Sequence, residues 1–416
     1  MRIPLQAGLL WLSAGLLGLA ASTAAALPTQ AAGTWSPPVQ LPGACGGGPT
    51  AVPTIAVNTA GAQVAAGHYQ APDNTMQAQV CTSTDGQAWS TLFTLGPGVD
   101  PSVALAPDGR AVVAWEGGNP LAPTVDATLR PPGGSWAAPI VLSTDFGHPV
   151  IGMDRAGDAV IAWAGASGAI YTASLPAGGT WTAPQTLLGS RLAGYHGAFN
   201  VDLTVNASGA AIIVWNEYDT AIEAASGTIL GGFAAPVAVN PAYTKGLRPR
   251  VALNDTGWAS LAWSTGIANN AITRSPDGTW STTTQLTANA GGPADTAIDA
   301  AGNAIAIFEQ IQQITTGTVT PLYAAWRPAG GTWATPVALT APTDSATGHV
   351  VADPAGTFVI AYTDTATTMV NAFTLPALAP FGQPTAVGPR PLGDLEITAG
   401  HAVMICNAQA SEEPVS

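Results

Sequence analysis

Charged residues are scarce in this 416-residue sequence and make up 9% of it. Lysine and arginine together number 11 against 25 aspartates and glutamates, and Lys245 is the only lysine. A surface so poor in cations has little with which to neutralise phosphates, so we expect neither nucleic acid nor an anionic membrane surface as a partner. The simplest interpretation of the acidity is that it keeps the protein soluble.

Long apolar runs are also scarce, and the single one lies at the N-terminus. Arg2 precedes the apolar run Leu5–Ala21, and Ala24-Ala25-Ala26 offers a small-residue cleavage site. This pattern predicts a signal peptide at 1–26, followed by a short linker at 27–33. The alternative is a membrane anchor, because the run approaches spanning length. We expect a secreted or periplasmic protein with no membrane span after cleavage.

Local signatures of cofactor chemistry are missing. The sequence contains no His-x-x-His or Cys-x-x-Cys spacing, no phosphate loop, no nucleophile elbow and no nicotinamide fingerprint. We therefore expect neither a metal nor a cofactor, and we assign no catalytic residue. Glycine (48) and proline (35) are abundant, but 47% hydrophobic content and 13 tryptophans indicate a buried core. This composition is typical of many short strands joined by tight turns.

A glycine turn followed by an apolar strand recurs along the chain. One copy reads Asp108-Gly109-Arg110-Ala111-Val112-Val113-Ala114-Trp115. A short alternating run precedes each glycine, so each copy predicts a β-hairpin. The turn glycines are Gly61, Gly109, Gly157, Gly209, Gly257, Gly302, Gly356 and Gly400. Six residues after them stand Gly67, Trp115, Trp163, Trp215, Trp263, Phe308, Tyr362 and Cys406. We interpret the repeated aromatic residue as packing between repeats.

A second signature alternates with the first: tryptophan, proline three residues later and an aliphatic residue after three more. Trp136, Pro139 and Leu142 are an example. Proline lacks a backbone donor, which suits an edge strand. Two hairpins per repeat of about 48 residues give the four antiparallel strands of one propeller blade. The sequence therefore predicts a single all-β propeller domain at 34–410, with eight blades or alternatively seven, and a C-terminal tail at 411–416.

The two ends of the domain complement each other. The chain starts with an outer strand, Thr34–Leu41, and ends after a hairpin, Leu395–Cys406. Pairing them would close the ring and remove two exposed sheet edges. The same pairing predicts a disulfide between Cys45 and Cys406 that leaves Cys81 free. The alternatives are a Cys45–Cys81 bond or three reduced thiols.

Candidate binding residues come from two positions that vary between repeats and that the propeller would place at the channel mouth. The first position lies nine residues before each turn glycine: Val52, Asp100, His148, Asn200, Arg248, Pro293, Thr347 and Pro391. The second lies directly after each second strand: His68, Glu116, Ala164, Asn216, Ser264, Glu309, Thr363 and Asn407, with Glu217 one residue further on. An insertion at 189–199 adds Arg191, Tyr195 and His196.

From these positions we predict a polar site on one side of the mouth that binds a hydroxylated or charged ligand. The candidate residues are His68, Asp100, Glu116, His148, Asn200, Glu217, Arg248 and Glu309. The alternative is ordinary variation of polar loops.

Two turns, Ser83–Trp89 and Ser275–Trp280, resemble shortened Asp-boxes of the sialidase-like propellers, and the repeat as a whole is similar to those of secreted bacterial propellers. In the sialidase-like family the Asp-box is structural, so the resemblance implies a fold rather than an activity. Sialidases grip a carboxylate with three arginines, whereas the first repeat here has none. We therefore predict a non-catalytic, monomeric binding propeller that recognises an extracellular glycan or protein.

Two alternatives stay open. One is a carbohydrate-active enzyme that uses a carboxylate pair such as Glu116 with Glu217 or Glu309, and the other is a structural envelope scaffold. An enzyme would need two carboxylates within roughly 5–10 Å of each other at the channel entrance.

Overall fold

The computed structural model describes residues 41, 53–86, 88–90, 92–119, 121–145, 147–189, 198–217, 221–240, 246–315, 317–388, 392–398 and 401–406. Its regular elements are β-strands, which confirms the all-β prediction. Across those ranges, no helix is long and apolar enough to cross a membrane. The described strands belong to one compact part of the chain, Thr34–Ser416.

The strands of the described residues follow one another in eight antiparallel groups, which we call units 1 to 8 in chain order. Unit 1 contains β1 (Thr54–Val57), β2 (Gln63–Gln70), β3 (Met76–Ser83) and the start of β4 (Phe93–Leu105). Unit 2 contains the end of β4, then β5 (Ala111–Asn119), β6 (Ala122–Arg130) and β7 (Ile140–Ser143). Unit 3 contains β8 (Val150–Met153), β9 (Ala159–Ala164), β10 (Ile170–Leu175) and β11 (Gln185–Leu188). Unit 4 contains β12 (Ala198–Val205), β13 (Ala210–Glu217), β14 (Ile222–Thr228), β15 (Gly232–Phe233) and β16 (Val237–Ala238).

The second half of the chain repeats this order. Unit 5 contains β17 (Leu247–Leu253), β18 (Ala259–Ser264), β19 (Asn269–Arg274) and β20 (Thr284–Thr287). Unit 6 contains β21 (Ala290–Ile298), β22 (Ala304–Gln310), an inserted hairpin of β23 (Gln312–Ile314) and β24 (Gly317–Val319), then β25 (Leu322–Arg327) and β26 (Val337–Ala338). Unit 7 contains β27 (Ala346–Ala352), β28 (Thr357–Asp364), β29 (Val370–Pro376) and β30 (Thr385–Gly388). Unit 8 contains β31 (Leu392–Thr398) and β32 (His401–Cys406).

Strand β4 belongs to two units at once. Its beginning pairs with β3, with Phe93 opposite Val80, and its end pairs with β5, with Leu105 opposite Ala111. The 13-residue strand is therefore the outer strand of unit 1 and the first strand of unit 2, and the two units form one seven-stranded sheet.

The first strands of successive units contact one another in order, and β31 of unit 8 contacts β1 of unit 1. At this seam the backbone N–H of Ile55 donates to Oδ2 of Asp394 over 2.9 Å. Leu41 and Val403 pack against the buried group of Ile55, Ala65 and Cys81, so both ends of the domain meet unit 1. The count of eight blades stays a prediction, because the outer strands of unit 8 fall outside the described residues.

The core lies between neighbouring units. Trp115, Trp163, Trp215 and Trp263 occupy the same position in their second strands, and each is at most 1% exposed. Trp115 packs against aliphatic residues of unit 1, and Trp163 against residues of unit 2. Aliphatic residues of one sheet therefore pack against a large ring from the next, as predicted for the repeated aromatic position.

Asparagines in the turns between first and second strands link the units at the opposite end from the predicted mouth. Oδ1 of Asn254 accepts hydrogen bonds from the backbone N–H groups of Thr256 and Trp258, which fixes the turn. Its Nδ2 donates to the carbonyl of Asp299 in unit 6 over 2.6 Å. Asn58 and Asn206 make the equivalent links to units 2 and 5. One amide thus stabilises a turn and an inter-unit contact.

The outer strands are short, and the prolines of the second signature precede them. Pro139 lies directly before β7, and Pro184 directly before β11. In the two Asp-box-like turns, Asp85 accepts from Ala88 N–H and Asp277 accepts from Thr279 N–H, each over 3.0 Å. The aspartates therefore have a structural role in these turns.

Cys81 is a free thiol and is fully buried. Cys45 and the side chain of Cys406 lie outside the described residues, so their disulfide stays a prediction. A peptide map of non-reduced protein tests it, and a peptide joining Cys45 to Cys81 would contradict it.

Candidate functional site

The predicted rim residues occupy a repeated β-bulge. Asp100, Asn200 and Arg248 all have φ of 49°, and each lies at a register shift in the first strand of its unit. A bulge takes a residue out of the ladder and redirects its side chain. Left-handed backbone is costly for residues other than glycine, and such positions concentrate at functional sites. The variable position found in the sequence is therefore a distinct backbone feature.

Four predicted residues from three successive units converge at this bulge. Nδ1 of His148, in the loop before β8, lies 3.0 Å from Oδ2 of Asp100 and 3.2 Å from Oε2 of Glu116. Nδ1 of His68, in β2, accepts the backbone N–H of Asp100 over 3.2 Å. The exposed fractions of the side chains are 61% for His148, 49% for Asp100 and 15% for Glu116. We call these four residues the mouth cluster.

The protonation states of the mouth cluster follow from these contacts. The hydrogen bond to Asp100 raises the pKa of His148, and the same bond lowers the pKa of Asp100. Burial raises the pKa of Glu116 and lowers the pKa of His68. Because Nδ1 of His68 accepts a hydrogen bond, this ring is neutral with its proton on Nε2. The cluster therefore favours an imidazolium at His148, with two carboxyl groups facing it.

The carboxyl groups of Asp100 and Glu116 lie close to each other, as the enzyme alternative requires. Both contact the same nitrogen of His148, so the two contacting oxygens are at most about 6 Å apart, an upper limit that admits the roughly 5–5.5 Å spacing of retaining glycosidases. The His148 ring contacts both of them, so neither carboxyl group is presented to solvent without a counter-charge.

Beneath the mouth cluster, the backbone of two glycines packs directly against the edges of two indole rings. A Cβ on Gly98 would lie 2.5 Å from Cδ1 of Trp115, and a Cβ on Gly147 would lie 2.8 Å from Cδ1 of Trp163. Both glycines lie one or two residues before a member of the cluster. The indole Nε1 atoms of both tryptophans are buried without a hydrogen-bond partner. Trp215 and Trp263 share this property, so it belongs to the repeated aromatic position.

The remaining predicted residues lie in units 4 to 6. Nδ2 of Asn200 donates to Oδ1 of Asn216 over 3.1 Å within unit 4. Glu309 is 7% exposed, and burial raises its pKa to about 7, with the charge of Arg248 and a hydrogen bond from Thr320 opposing the shift. The charge of Arg248 in unit 5 therefore acts on the carboxyl group of Glu309 in unit 6.

Two predicted features fall partly outside the described residues. Glu217 ends β13, and its side chain lies outside them, as do 190–197 of the predicted insertion.

One of the two predicted positions also has a structural role. This position was predicted to follow each second strand, but it lies within the strand, because the second strands extend past the repeated aromatic residue: His68 is in β2 and Thr363 in β28. There it reaches the first strand of the next unit: His68 accepts from Asp100 N–H, and Oγ1 of Thr363 accepts from Leu392 N–H over 2.8 Å. Some polar residues at this variable position therefore form hydrogen bonds that link neighbouring units. His68 is a positioning residue that fixes the backbone of Asp100.

The sequence reasoning missed a second polar layer, two residues further along the first strands. Nη1 of Arg250 lies 3.4 Å from Oδ1 of Asp202, and Nδ1 of His349 lies 3.3 Å from Oδ2 of Asp295. Acidic and basic residues alternate from unit 4 to unit 8. We call this layer the channel ring, and it consists of Asp202, Arg250, Asp295, His349 and Asp394. The signal was present in the sequence, because charged residues stand seven positions before four consecutive turn glycines.

The carboxyl groups of the channel ring contact their basic neighbours and also accept hydrogen bonds from the backbone of another unit. Asp202, Asp295 and Asp394 accept backbone N–H groups of Val251, Val350 and Ile55 over 2.8, 3.0 and 2.9 Å. Burial raises the pKa of Asp394, and burial together with the Asp394 charge raises the pKa of Glu396 to about 8. The ring is therefore an inter-unit clasp. In the residues that the structure describes, no group of three or more His, Cys, Asp or Glu side chains is suited to a metal ion.

No protein-family model and no curated protein sequence match this chain. Among solved structures, the chain is similar to the BP39L lectin from Burkholderia pseudomallei, with a TM-score of 0.54 and 12% identity over 80% of this chain and 98% of the lectin. The chain is a β-propeller. The propeller is also similar to an ulvan lyase of polysaccharide lyase family PL25, with a TM-score of 0.49 and 11% identity over 80% of this chain and 92% of that one. A fucose-specific lectin from Aleuria aurantia is similar with a TM-score of 0.40 and 12% identity, over 68% of this chain and 94% of the lectin.

Proposed function

We propose that this protein is an exported, non-catalytic binding propeller that recognises a glycan at its channel mouth. The observation that carries the proposal is the convergence of Asp100, Glu116 and His148 from two units on one exposed point. The fold is similar to that of a lectin, which agrees with the proposal.

The chemistry of the mouth cluster suits a sugar. Binding sites for polar ligands place a few directed donors and acceptors on a rigid support. The carboxyl groups of Asp100 and Glu116 supply acceptors for hydroxyl groups, and the His148 ring supplies a donor. His68 holds the bulge beneath Asp100 through the 3.2 Å hydrogen bond to its backbone. A site that is already ordered before binding loses less entropy when the ligand arrives.

The test is glycan binding by the mature protein and by isosteric variants. We expect Asp100→Asn and Glu116→Gln each to weaken binding at least tenfold on a glycan array and by calorimetry. Asp108→Asn is the matched control. It lies in unit 2 at the opposite end of the strands, it is exposed, and an amide oxygen keeps the hydrogen bond from Arg110 N–H. Unchanged binding in both mouth variants would refute the proposal.

A carbohydrate-active enzyme is the second candidate, and the spacing of Asp100 and Glu116 favours it. Burial raises the pKa of Glu116, which is the property of a general acid. Contact of both carboxyl groups with His148 favours binding instead. Release of new reducing ends or unsaturated products from a polysaccharide panel, abolished by Glu116→Gln, would establish the enzyme.

Export and the monomeric state belong to the same proposal. Cell fractionation with N-terminal sequencing tests the predicted cleavage after residue 26. Light scattering of the mature protein tests the monomer. Membership of the sialidase-like superfamily is likewise proposed from the two Asp-box-like turns.

A further inference from the structure

A cavity of about 160 Å³ lies between units 1 and 2, at the end of the strands opposite the mouth. Unit 1 contributes residues of β2, β3 and the turn after β3, and unit 2 contributes the turn after β4 and the end of β6. The lining residues with polar side chains are Gln63, Thr82, Ser83, Thr84 and Arg130. A single water molecule needs at least about 10–15 Å³ of such space, so the cavity has room for a molecule the size of one sugar ring.

Arg130 is the only charged residue that lines this cavity. Its Nε donates to the carbonyl of Gly134 in the following turn over 2.9 Å, which holds the guanidinium group in place. The adjoining turns carry Asp85 and Asp108, and these carboxyl groups accept backbone N–H groups within their own turns over 3.0 and 2.8 Å. In the part of the chain that the structure describes, no carboxyl group forms an ion pair with Arg130. The cavity therefore presents a cation without an acidic partner.

The same position carries an arginine in two other units, in each case six residues before the tryptophan of the second signature. Burial lowers the pKa of Arg274, and the charge of Asp277 in the turn that follows opposes this shift. Arg327 is 8% exposed, and its Nη1 is buried without a hydrogen-bond partner. Arg130 is thus the member of this set that combines an open cavity with the lack of an acidic partner.

The charge and the polar groups of the cavity select a class of ligand. A guanidinium group matches a carboxylate through two parallel N–H to O hydrogen bonds, and one positive charge neutralises one negative charge. A phosphate monoester carries about −1.5 to −2 at pH 7 and would keep part of its charge uncompensated, in a protein whose own net charge is −14. The side chains of Gln63 and Thr84 can donate to hydroxyl groups and accept from them. A hydroxylated molecule with a single carboxylate fits best.

We propose that the cavity between units 1 and 2 binds a uronic acid residue, with its carboxylate on the two Nη groups of Arg130. The Nε is already used by Gly134, so the carboxylate approaches the end of the guanidinium group. The ring hydroxyl groups contact Gln63 and Thr84. This site is separate from the mouth cluster and does not depend on glycan binding there.

The experiment is calorimetry of the mature protein with glucuronate, glucose and glucose 6-phosphate. We expect glucuronate to bind at least tenfold more tightly than glucose and several-fold more tightly than the phosphate. Arg130→Gln should weaken glucuronate binding at least tenfold, and Arg130→Lys should restore only part of it, because an ammonium cannot bind the carboxylate through a fork. The matched control is Arg274→Gln, the same change at the same position in unit 5, which should bind glucuronate as the wild type does.

A second variant keeps the test independent of the stability of the turn that Arg130 holds. Ala62 lines the cavity, so Ala62→Leu should fill it and abolish glucuronate binding while leaving Arg130 in place. Asp100→Asn with Glu116→Gln should leave glucuronate binding unchanged, which separates this site from the mouth. A uronate trisaccharide distinguishes two sources of the ligand: equal affinity identifies the end of a polysaccharide, and loss of binding identifies a free acid.

Three results would overturn the proposal. They are equal binding of glucose and glucuronate, tighter binding of the phosphate, and wild-type affinity for glucuronate in Arg130→Gln or Ala62→Leu. Absence of glucuronate binding by the wild type would overturn it as well and would leave the proposed glycan site at the mouth untouched.

Discussion

Replacing Asp394 should open the propeller at the seam between its two ends. Oδ2 of Asp394 accepts Ile55 N–H over 2.9 Å, and Oδ1 accepts Leu395 N–H over 2.9 Å. Asp394→Ala leaves both donors without that acceptor. Leaving a buried donor unpaired costs about 1–3 kcal/mol, and burial raises the pKa of Asp394, which reduces the gain from its charge. We therefore expect a loss of about 2 kcal/mol in the free energy of unfolding.

The control is Asp202→Ala, at the equivalent position in the middle of the ring. Asp202 makes the same contact to Val251 N–H and also pairs with Arg250, so its removal should destabilise the protein at least as much. Units 4 and 5, however, are joined by the chain, and units 8 and 1 are not. Hydrogen exchange should therefore rise in β1 and β32 for Asp394→Ala and not for Asp202→Ala. Asp394→Asn keeps an acceptor oxygen and should restore part of the protection. Equal exchange at the seam in both alanine variants would refute the reasoning.

Three further changes test separate parts of the structure. Folded Glu309 keeps its proton up to about pH 7, whereas the unfolded chain releases it near the ordinary value. The folded state therefore binds more protons in that window, and stability falls as pH rises through it, by about 3 kcal/mol in total. Glu309→Gln should flatten this slope in denaturation curves from pH 4 to 8, and an unchanged slope would contradict it. Asn254→Asp keeps the turn but loses the donor to the carbonyl of unit 6, so it should cost about 2 kcal/mol at pH 7 and less at pH 3, where the acid is protonated. Gly147→Ala places a Cβ 2.8 Å from the indole below it and should weaken glycan binding tenfold, whereas Gly189→Ala, with open space around it, should not.

The repeat predicted the propeller because its landmarks are periodic. A turn glycine with φ of 80–90° recurs in units 1 to 7, and a buried aromatic ring follows it by six residues in units 2 to 7. The same periodicity predicted that His68, Asp100, Glu116 and His148 share one rim. The sequence carried that information because the register of each first strand is set by its turn.

The channel ring was not predicted, and the reason is physical. Arg250 contacts Asp202, 48 residues away, and the contact exists only once neighbouring units are side by side. Alternation along each strand indicates which face a residue occupies, but not which residue of the next unit it meets. The bulge was not predicted either, because residue types as different as Asp100, Asn200 and Arg248 adopt the same left-handed backbone, so no residue type marks the position.

The undivided strand β4 has a consequence for how the mouth responds to a ligand. It joins the outer edge of unit 1 to the inner edge of unit 2 without a loop, so His68 and Asp100 belong to one continuous sheet. His148 instead lies in the connection between β7 and β8, outside any strand. One wall of the site is thus part of a sheet, and the other is a loop. A bound ligand should reposition the start of unit 3 and leave units 1 and 2 where they are.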